Sequence, residues 1–450
     1  MALSFSRSGL RPMAQALNIG AGEAPAVLAG LSMFLLLFTA YFMLRPVRET
    51  MGVAGGVDNL QWLFTATFVA TLLVMPAFGW LASKLPRRSI LPWLYAGCAL
   101  GMLGFAVSFT LDAENVWAAR AFYVWLSVCN LLAVSLAWSV LADVFASDQA
   151  RRTFALIAAG ASVGGLLGPL SGALLVGVVG HAGLLAIAAL LLLASAAAGA
   201  YLHRWRERNP LSASDEPAVV QRPLGGNPFA GASQTLRSPY LLAISLFVLL
   251  LASINTFLYF EQARLVAEYF PDRTRQTQVF GLIDAVVQAL SLLIQVFITG
   301  QLAKRLGVGV LLMSVPLLMA VGFAALALWP VFSLFVVVMV IRRVGEYALV
   351  RPGREMLFTV VPAEQKYKAK HFIDTVVYRG GDALSAWVKR LIDLMGDSPA
   401  LAMGVGAVLA LAWGLCGAWL GKQERRRHGA TQEAPDTHTI STKRGVKPCL

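Results

Sequence analysis

The chain is dominated by apolar runs that are long enough to cross a lipid bilayer. Residues 183–202, GLLAIAALLLLASAAAGAYL, contain no charged residue. About 20 such residues suffice for a helix to span the hydrocarbon core, where every backbone polar group must be bonded internally. Runs of this kind recur along the 450 residues, of which 58% are hydrophobic and 14% charged. Because soluble proteins are much less apolar, the sequence predicts an all-α integral membrane protein.

The apolar runs predict twelve transmembrane helices. Lys and Arg fall mainly in the polar segments on one side, which the positive-inside rule assigns to the cytoplasm together with both termini. This topology explains the net charge of +13, so nucleic acid is not expected as a partner. We expect a multi-pass, monomeric protein of the inner membrane, with the lipid bilayer as its solvent. The spans, numbered in chain order, are roughly 25–47, 61–83, 90–110, 117–143, 153–178, 180–202, 239–263, 277–303, 308–329, 331–356, 371–394 and 400–421.

The polar segments divide the chain into two halves of six helices. Residues 1–203 form the predicted N-terminal half and residues 239–421 the C-terminal half. Residues 204–238, rich in Arg, Pro, Gly and Ser, are predicted to be a central cytoplasmic loop. Residues 422–450 form a basic tail that lacks apolar periodicity and is predicted to be disordered.

Short internal matches indicate that the two halves arose by duplication. GWLASKLPRR from Gly79 and GQLAKRLGVG from Gly300 share G-x-L-A-x-x-L, in each case after the second span of a half. These stretches resemble the major facilitator loop signature, with Ser83 and Lys304 where that signature has aspartate. Parallel halves joined by a cytoplasmic loop describe the major facilitator architecture, in which substrate binds at mid-membrane between them.

The motifs exclude most classes of enzyme. We find no spacing typical of metal ligands, no Walker A loop, and neither G-x-S-x-G nor H-E-x-x-H. No metal, cofactor or catalytic residue is therefore expected. A secondary transporter is favoured over a membrane-embedded transferase, and over a receptor or scaffold, for which the short loops leave little room.

Charged residues inside the first span need an explanation, since a charge at the bilayer centre costs about 2.5–3.5 kcal/mol on insertion scales. Arg45 and Arg48 share a helical face in AYFMLRPVRETMG, and Glu49 follows Arg45 by four residues, where an ion pair can form. Pro46 can kink this helix beside a cavity. Two interpretations remain open: the arginines reach out to lipid head groups, or they bind substrate or act in gating.

Polar stripes on later spans favour a shared, water-filled cavity. Span 8 and span 11 carry polar residues at helical spacing, which cannot face lipid. Span 10 carries both arginines and glutamates, for which a buried ion-pair network is an equally open interpretation. The candidates for substrate binding are Arg45, Arg48, Asn130, Glu261, Arg264, Asp284, Gln288, Arg354, Tyr378, Arg379 and Asp382. The candidates for gating or ion pairing are Glu49, Asp143, Arg151, Arg152, Arg342, Glu346, Lys366, Lys368 and Asp374.

Several arginines directed at one cavity favour a small anionic solute, because the guanidinium fork matches phosphate or carboxylate. The accompanying acids keep the empty site near neutrality. In the alternative, a different organic anion is carried and protons are coupled through Asp284, Asp374 or Asp382.

Four segments carry a resemblance to a known family: YFMLRPVRETMG, YVWLSVCNLLAVSLAWSVLADVF, QARRTFALIAAGASVGGLLGP and RPGREMLFTVVPAEQKYKAKHFIDTVVYRGGD. They resemble the ATP/ADP translocases of plastids and intracellular bacteria, and their free-living relatives labelled NTP/NDP exchange transporters. The resemblance implies twelve helices in the major facilitator fold and exchange of ATP and ADP as cargo. The chain departs from the family at Pro46 and Glu49, at Ala142-Asp143, and at 149–154, which implies altered specificity.

Overall fold

The structure is a computed structural model, and it describes residues 22–85, 87–210, 229, 231–395 and 399–432. Within these ranges every regular element is helical. Most of the predicted central loop and the end of the predicted tail lie outside them.

The N-terminal half consists of five helices, the last of which is bent. Helix α5 has a non-helical residue at Gly180, where φ is 67°, so its two arms coincide with predicted spans 5 and 6. Glycine accepts this positive φ without the steric cost of a Cβ. Pro46 lies inside α1, which remains one helix. The helices are α1 (Ala24–Ala54), α2 (Leu60–Lys84), α3 (Arg87–Leu111), α4 (Val116–Val144) and α5 (Ser147–Arg208), with a 3-10 turn at Val57–Asn59 between α1 and α2.

In the C-terminal half, three pairs of consecutive α-helices are joined directly by a π turn. These turns, Gln295–Thr299, Glu346–Val350 and Ile373–Val377, join α8 to α9, α10 to α11 and α12 to α13. The helices are α6 (Ala232–Arg237), α7 (Pro239–Tyr269), α8 (Arg273–Ile294), α9 (Gly300–Leu328), α10 (Phe332–Gly345), α11 (Arg351–Leu357), α12 (Ala363–Phe372), α13 (Tyr378–Met395) and α14 (Pro399–Gln432). Helix α14 thus continues through the first part of the segment predicted to be a disordered tail.

Eight helical stretches of the described ranges are long and apolar enough to cross a membrane. Two of them, Ser147–Arg208 and Arg273–Leu328, have 62 and 56 residues, about twice the length that one crossing requires. Each is broken by a glycine with positive φ, Gly180 or Gly307. The charged helices α10–α13 fall outside the apolar set. The structure is therefore that of a multi-pass membrane protein, and the count of twelve spans stays a prediction.

Closely spaced glycines hold the N-terminal half together. Gly160, Gly164, Gly168 and Gly172 recur every four residues on α5 and face the backbone of α1. A Cβ at Gly160 would lie 2.4 Å from the carbonyl oxygen of Leu31. Since lipid supplies little hydrophobic driving force between helices, such close backbone packing is a main source of their association. It fixes the position of α1, which carries the first pair of arginines.

Candidate functional site

A cavity of about 960 Å³ lies between the two halves and is lined by both of them. The N-terminal half contributes α1, α2, α4 and α5, and the C-terminal half contributes α7, α8, α10, α11, α13 and three π turns. The volume is at the upper end of the roughly 300–1,000 Å³ typical of small-molecule sites.

Contacts between the halves close the cavity at the end where α1 stops and α2 begins, which we call the Asp58 end. Arg390 pairs with Asp58 at 3.0 Å, and the indole nitrogen of Trp387 donates to the hydroxyl of Thr65 at 3.0 Å. Helices α5 and α8, which belong to opposite halves, also meet closely. A Cβ at Gly281 would lie 2.9 Å from both the Pro169 carbonyl oxygen and the Ala173 Cβ.

The α1 wall presents Arg45 and Arg48 to the cavity, but their pairing differs from the sequence prediction. Arg48, rather than Arg45, pairs with Glu49, at 2.5 Å. It also donates to the hydroxyl of Ser127 at 3.2 Å and lies 5.0 Å from the ring centroid of Tyr123. Because its partners belong to α1 and α4, Arg48 is fixed within the N-terminal half.

Arg45 reaches across to the other half. Its Nε lies 3.6 Å from the Asp284 carboxylate on α8, and its Nη1 donates to the Tyr347 hydroxyl at 3.4 Å. The prediction that Arg45 pairs with Glu49 four residues later was wrong, since Glu49 points to its neighbour Arg48. Asp284 also pairs closely with Arg343 of α10.

The C-terminal wall holds a connected set of charges around the buried Glu346. Arg342 and Arg351 approach its carboxylate at 3.2 and 3.6 Å. Asn255 of α7 donates to the same carboxylate at 3.3 Å and accepts a close hydrogen bond from Arg342. The amide nitrogen of Asn255 also donates to the Tyr378 hydroxyl, at 3.3 Å. Helices α7, α10 and α13 are thereby tied together behind the cavity surface.

Two further ion pairs flank this set on the C-terminal wall. Arg354 lies 3.2 Å from Asp374, and Arg379 lies 3.8 Å from Asp382. Each cavity-lining carboxylate of α13 and of the π turn before it thus has an arginine close by. The sequence-based expectation of paired charges at the end of span 10 and in span 11 fits this geometry.

The two walls of the cavity differ in character. The lining contains seven arginines and six carboxylates, of which only Arg45, Arg48 and Glu49 belong to the N-terminal half. That half instead supplies most of the aromatic surface. Its aromatic lining residues are Phe38, Tyr41, Phe42, Phe64, Tyr123 and Trp138. An amphipathic solute would therefore meet rings on one side and charges on the other.

All three π turns contribute residues to the cavity. Two of them are bonded to each other, since the Gln295 side chain donates to the carbonyl of Tyr347 at 2.9 Å and the Thr299 hydroxyl donates to the carbonyl of Ala348 at 2.8 Å. These bonds satisfy carbonyls that the wider turn frees. Single π turns within α-helices are frequently found at functional sites.

The structure brings most of the predicted site residues together and leaves others elsewhere. Among the residues that line the cavity are Arg45, Arg48, Glu49, Asn130, Asp284, Gln288, Arg342, Glu346, Arg354, Asp374, Tyr378, Arg379 and Asp382. The lining does not include Asp143, Arg151, Arg152, Glu261, Arg264, Lys366 or Lys368.

Three of the residues outside the lining form ion pairs elsewhere. Glu261 and Arg264 form an ion pair three residues apart on α7. The 216-residue offset that matches Gly164-Gly165 to Gly380-Gly381 also aligns Arg48 with Arg264, but Arg264 is not among the lining residues. Arg152 pairs with Glu23 at 3.1 Å, joining the starts of α5 and α1.

Among the lining residues that sequence reasoning missed as site candidates, four belong to the charged network: Asn255, Arg343, Tyr347 and Arg351. Arg343 and Arg351 belong to the charged stretch of span 10, from which only some members were selected. Asn255 gave a weaker signal, because it is a lone amide in an apolar run. Tyr347 lies four residues after Arg343 and four before Arg351, a helical spacing that could have marked it. Their roles emerge only when α7 and α10 are packed together.

A membrane bundle of two helical halves, with a charged cavity between them, is the architecture of a transporter, and the family to which the chain belongs indicates a transporter rather than an enzyme. A family model for the Major Facilitator Superfamily matches residues 26–365, and the chain belongs to that superfamily. No curated protein matches the sequence.

Solved transporter structures share the fold at low sequence identity. The structure of a bacterial homologue of the iron transporter ferroportin in an inward-facing state has a TM-score of 0.62 and 16% identity, covering 87% of this chain and 98% of that one. A bacterial homologue of the human lysosomal transporter Spinster, inward-facing and unoccupied, has a TM-score of 0.54 and 16% identity over 91% and 98%. A bacterial metal transporter has a TM-score of 0.57 and 15% identity over 89% and 98%.

Proposed function

We propose that this secondary transporter moves a nucleotide or another phosphorylated organic anion by alternating access, and that it exchanges ATP and ADP in the manner that the sequence resemblance implies. The observation that carries the proposal is the cavity itself, whose lining includes seven arginines. Arginine stays charged at all physiological pH values and binds phosphate through two parallel hydrogen bonds.

The buried arginines retain capacity for a ligand. The Nε atoms of Arg48, Arg342 and Arg354, and Nη2 of Arg343, are buried without a hydrogen-bond partner among the described residues. Since an unsatisfied buried donor is costly, an anion that accepts these hydrogen bonds after the arginine side chains turn towards it would gain free energy. The aromatic wall of the N-terminal half offers a surface for the organic part of the same solute.

A metal cation, the cargo named for two of the structural neighbours, fits this cavity less well. Glu49, Asp284, Glu346, Asp374 and Asp382 each lie within 4 Å of an arginine, so a cation would meet fixed positive charge beside every one of them. The described residues also contain no group of three or more His, Cys, Asp and Glu placed to hold a metal ion.

We infer that the cavity opens to the cytoplasm in this conformation. The halves meet at the Asp58 end, where Asp58 and Arg390 pair at 3.0 Å. The positive-inside rule places this end on the outer side of the membrane. A rocking motion of the halves would open the Asp58 end and close the opposite one, as alternating access requires.

Uptake into proteoliposomes tests the proposed cargo. Vesicles that contain the purified protein and are preloaded with ATP should take up radiolabelled ADP, and unloaded vesicles should take up far less. If uptake instead requires a pH gradient and ignores the internal nucleotide, the proton-coupled alternative is favoured. Absence of uptake for ADP, ATP and simple sugar phosphates would refute the proposed cargo class.

A further inference from the structure

Asp284 is the carboxylate that connects the arginines of the two halves. It pairs closely with Arg343 of α10, and its other oxygen lies 3.6 Å from Nε of Arg45 on α1. The side chains of Asp284 and Arg343 are 5% and 6% exposed, so solvent screens this contact little. Two positive charges from opposite halves therefore converge on one negative charge inside the protein.

The bonding at this point is incomplete. The Asp284 oxygen that faces Arg45 has no hydrogen-bond partner among the described residues, and neither does Nη2 of Arg343. The ion pair of Arg45 with Asp284 is too long to be a hydrogen bond. Arg45 thus contacts the Asp284 carboxylate only through a long ion pair, whereas Arg343 makes a short one.

Charge and oxygen count favour a larger anion at the same position. One carboxylate offers two oxygens and a single negative charge to two guanidinium groups. A phosphoryl group offers three terminal oxygens and a charge of about −1.5 to −2 at neutral pH. It can neutralise both arginines and accept the hydrogen bonds that Asp284 leaves unmade.

On the basis of the proposed function, we propose that Asp284 is an internal substitute for the cargo's phosphoryl group, which binds between Arg45 and Arg343 and displaces Asp284 from Arg45. In the empty carrier Asp284 keeps the two arginines from facing each other without an anion. In the loaded carrier the phosphoryl group takes over the link between the halves. The site thereby selects dianionic over monoanionic solutes.

This assignment predicts opposite effects for two neighbouring substitutions. Asp284→Asn removes the competing charge, so the site should bind a phosphoryl anion at least tenfold more tightly, equivalent to about 1.4 kcal/mol at 25 °C. Arg343→Gln removes a ligand and should weaken binding at least tenfold. A merely structural role for Asp284 would make its replacement weaken binding as well.

Calorimetric titration of the purified full chain in detergent with sodium pyrophosphate measures these effects, with sodium acetate as the monoanionic comparison. Glu207→Gln is the matched control, since it removes one carboxylate from an exposed pair with Arg88, far from the cavity, and should leave pyrophosphate affinity unchanged. Asp284→Glu covers the case in which the asparagine variant does not fold: its longer carboxylate should reach Arg45 and weaken pyrophosphate binding at least threefold.

The inference is overturned if Asp284→Asn binds pyrophosphate no more tightly than the unaltered chain, or if Asp284→Glu binds it as tightly or more tightly. It is also overturned if Arg343→Gln keeps full affinity, or if acetate binds as well as pyrophosphate. Uptake of ADP by the same proteins separates this result from the proposed function. Pyrophosphate binding that follows Asp284 without nucleotide uptake would support the phosphoryl site and refute the nucleotide cargo. Nucleotide uptake by the unaltered chain, with pyrophosphate affinity that does not change in the variants, would support the nucleotide cargo and refute the phosphoryl site.

Discussion

Adding one methyl group at Gly281 should open the Asp58 end of the cavity. A Cβ there would lie 2.9 Å from the Pro169 carbonyl oxygen and from the Ala173 Cβ on α5, both too close for van der Waals contact. Neither neighbour is the far end of a flexible side chain, so relief requires the helices to move apart. Overpacking of this kind typically costs about 1–3 kcal/mol.

Alternating access requires two conformations, and the cost falls only on the one in which the halves meet at the Asp58 end. Parting of the halves at the Asp58 end removes the clash at Gly281. If 1–2 kcal/mol of the strain is relieved in this way, the ratio of the two conformations changes by about 5- to 30-fold. Gly177→Ala is the matched control, since a Cβ there would lie 3.5 Å from the Gln278 amide, which is ordinary contact.

Thiol labelling measures the change. A cysteine replaces Gln262, a buried residue that lines the cavity near the end of α7, in a background in which the four native cysteines are replaced by serine. An impermeant maleimide applied to right-side-out vesicles should label this cysteine at least fivefold faster in Gly281→Ala than in Gly177→Ala. Equal labelling rates, together with a lower unfolding temperature of Gly281→Ala, would refute the reasoning, because the strain would then be absorbed without opening.

Two further predictions concern packing and the π turns. Gly160→Ala should lower the free energy of unfolding by about 1–3 kcal/mol, because its Cβ would overlap the Leu31 carbonyl oxygen. Thermal unfolding in detergent measures this change. The control is Gly104→Ala on α3, which should change the unfolding temperature little, because its Cβ would have nothing within 4 Å. Thr299→Val removes the hydroxyl that donates to the Ala348 carbonyl at 2.8 Å, leaving a buried acceptor unpaired at a cost of about 1–3 kcal/mol. We expect a lower unfolding temperature and slower transport, and wild-type values of both would show that the π turns do not depend on this bond.

The apolar runs were sufficient to predict the fold class, because hydrophobic length is a local property of the sequence. They also marked the bends in the two longest helices, where predicted spans 5 and 6 separate at Gly180 and spans 8 and 9 at Gly307. The π turns could not be predicted, since local periodicity does not contain contacts between helices, such as the bond from Thr299 to Ala348 that joins two of them.

The candidate site was predictable as a set of charges but not as a set of pairs. Helical spacing suggested Arg45 with Glu49, whereas the structure pairs Arg45 with Asp284, 239 positions later in the chain, at 3.6 Å. Contacts between the halves depend on how the bundles pack, which local periodicity does not contain. The internal repeat aligns Arg264 with Arg48 and so predicted that both line the cavity. In the structure, Arg264 pairs with Glu261 and lies outside the lining.

Uptake of radiolabelled ADP by Arg48→Gln tests the central claim that the arginine-lined cavity carries the anion. Arg48 lines the cavity, so we expect uptake at the background of protein-free vesicles, with normal insertion into the membrane. The control is the double variant Glu261→Gln with Arg264→Gln, which removes both members of a pair outside the lining. It should transport within about threefold of the unaltered protein, since loss of both partners is better tolerated than loss of one. Full uptake by Arg48→Gln, or loss of uptake in the folded double variant alone, would contradict the account.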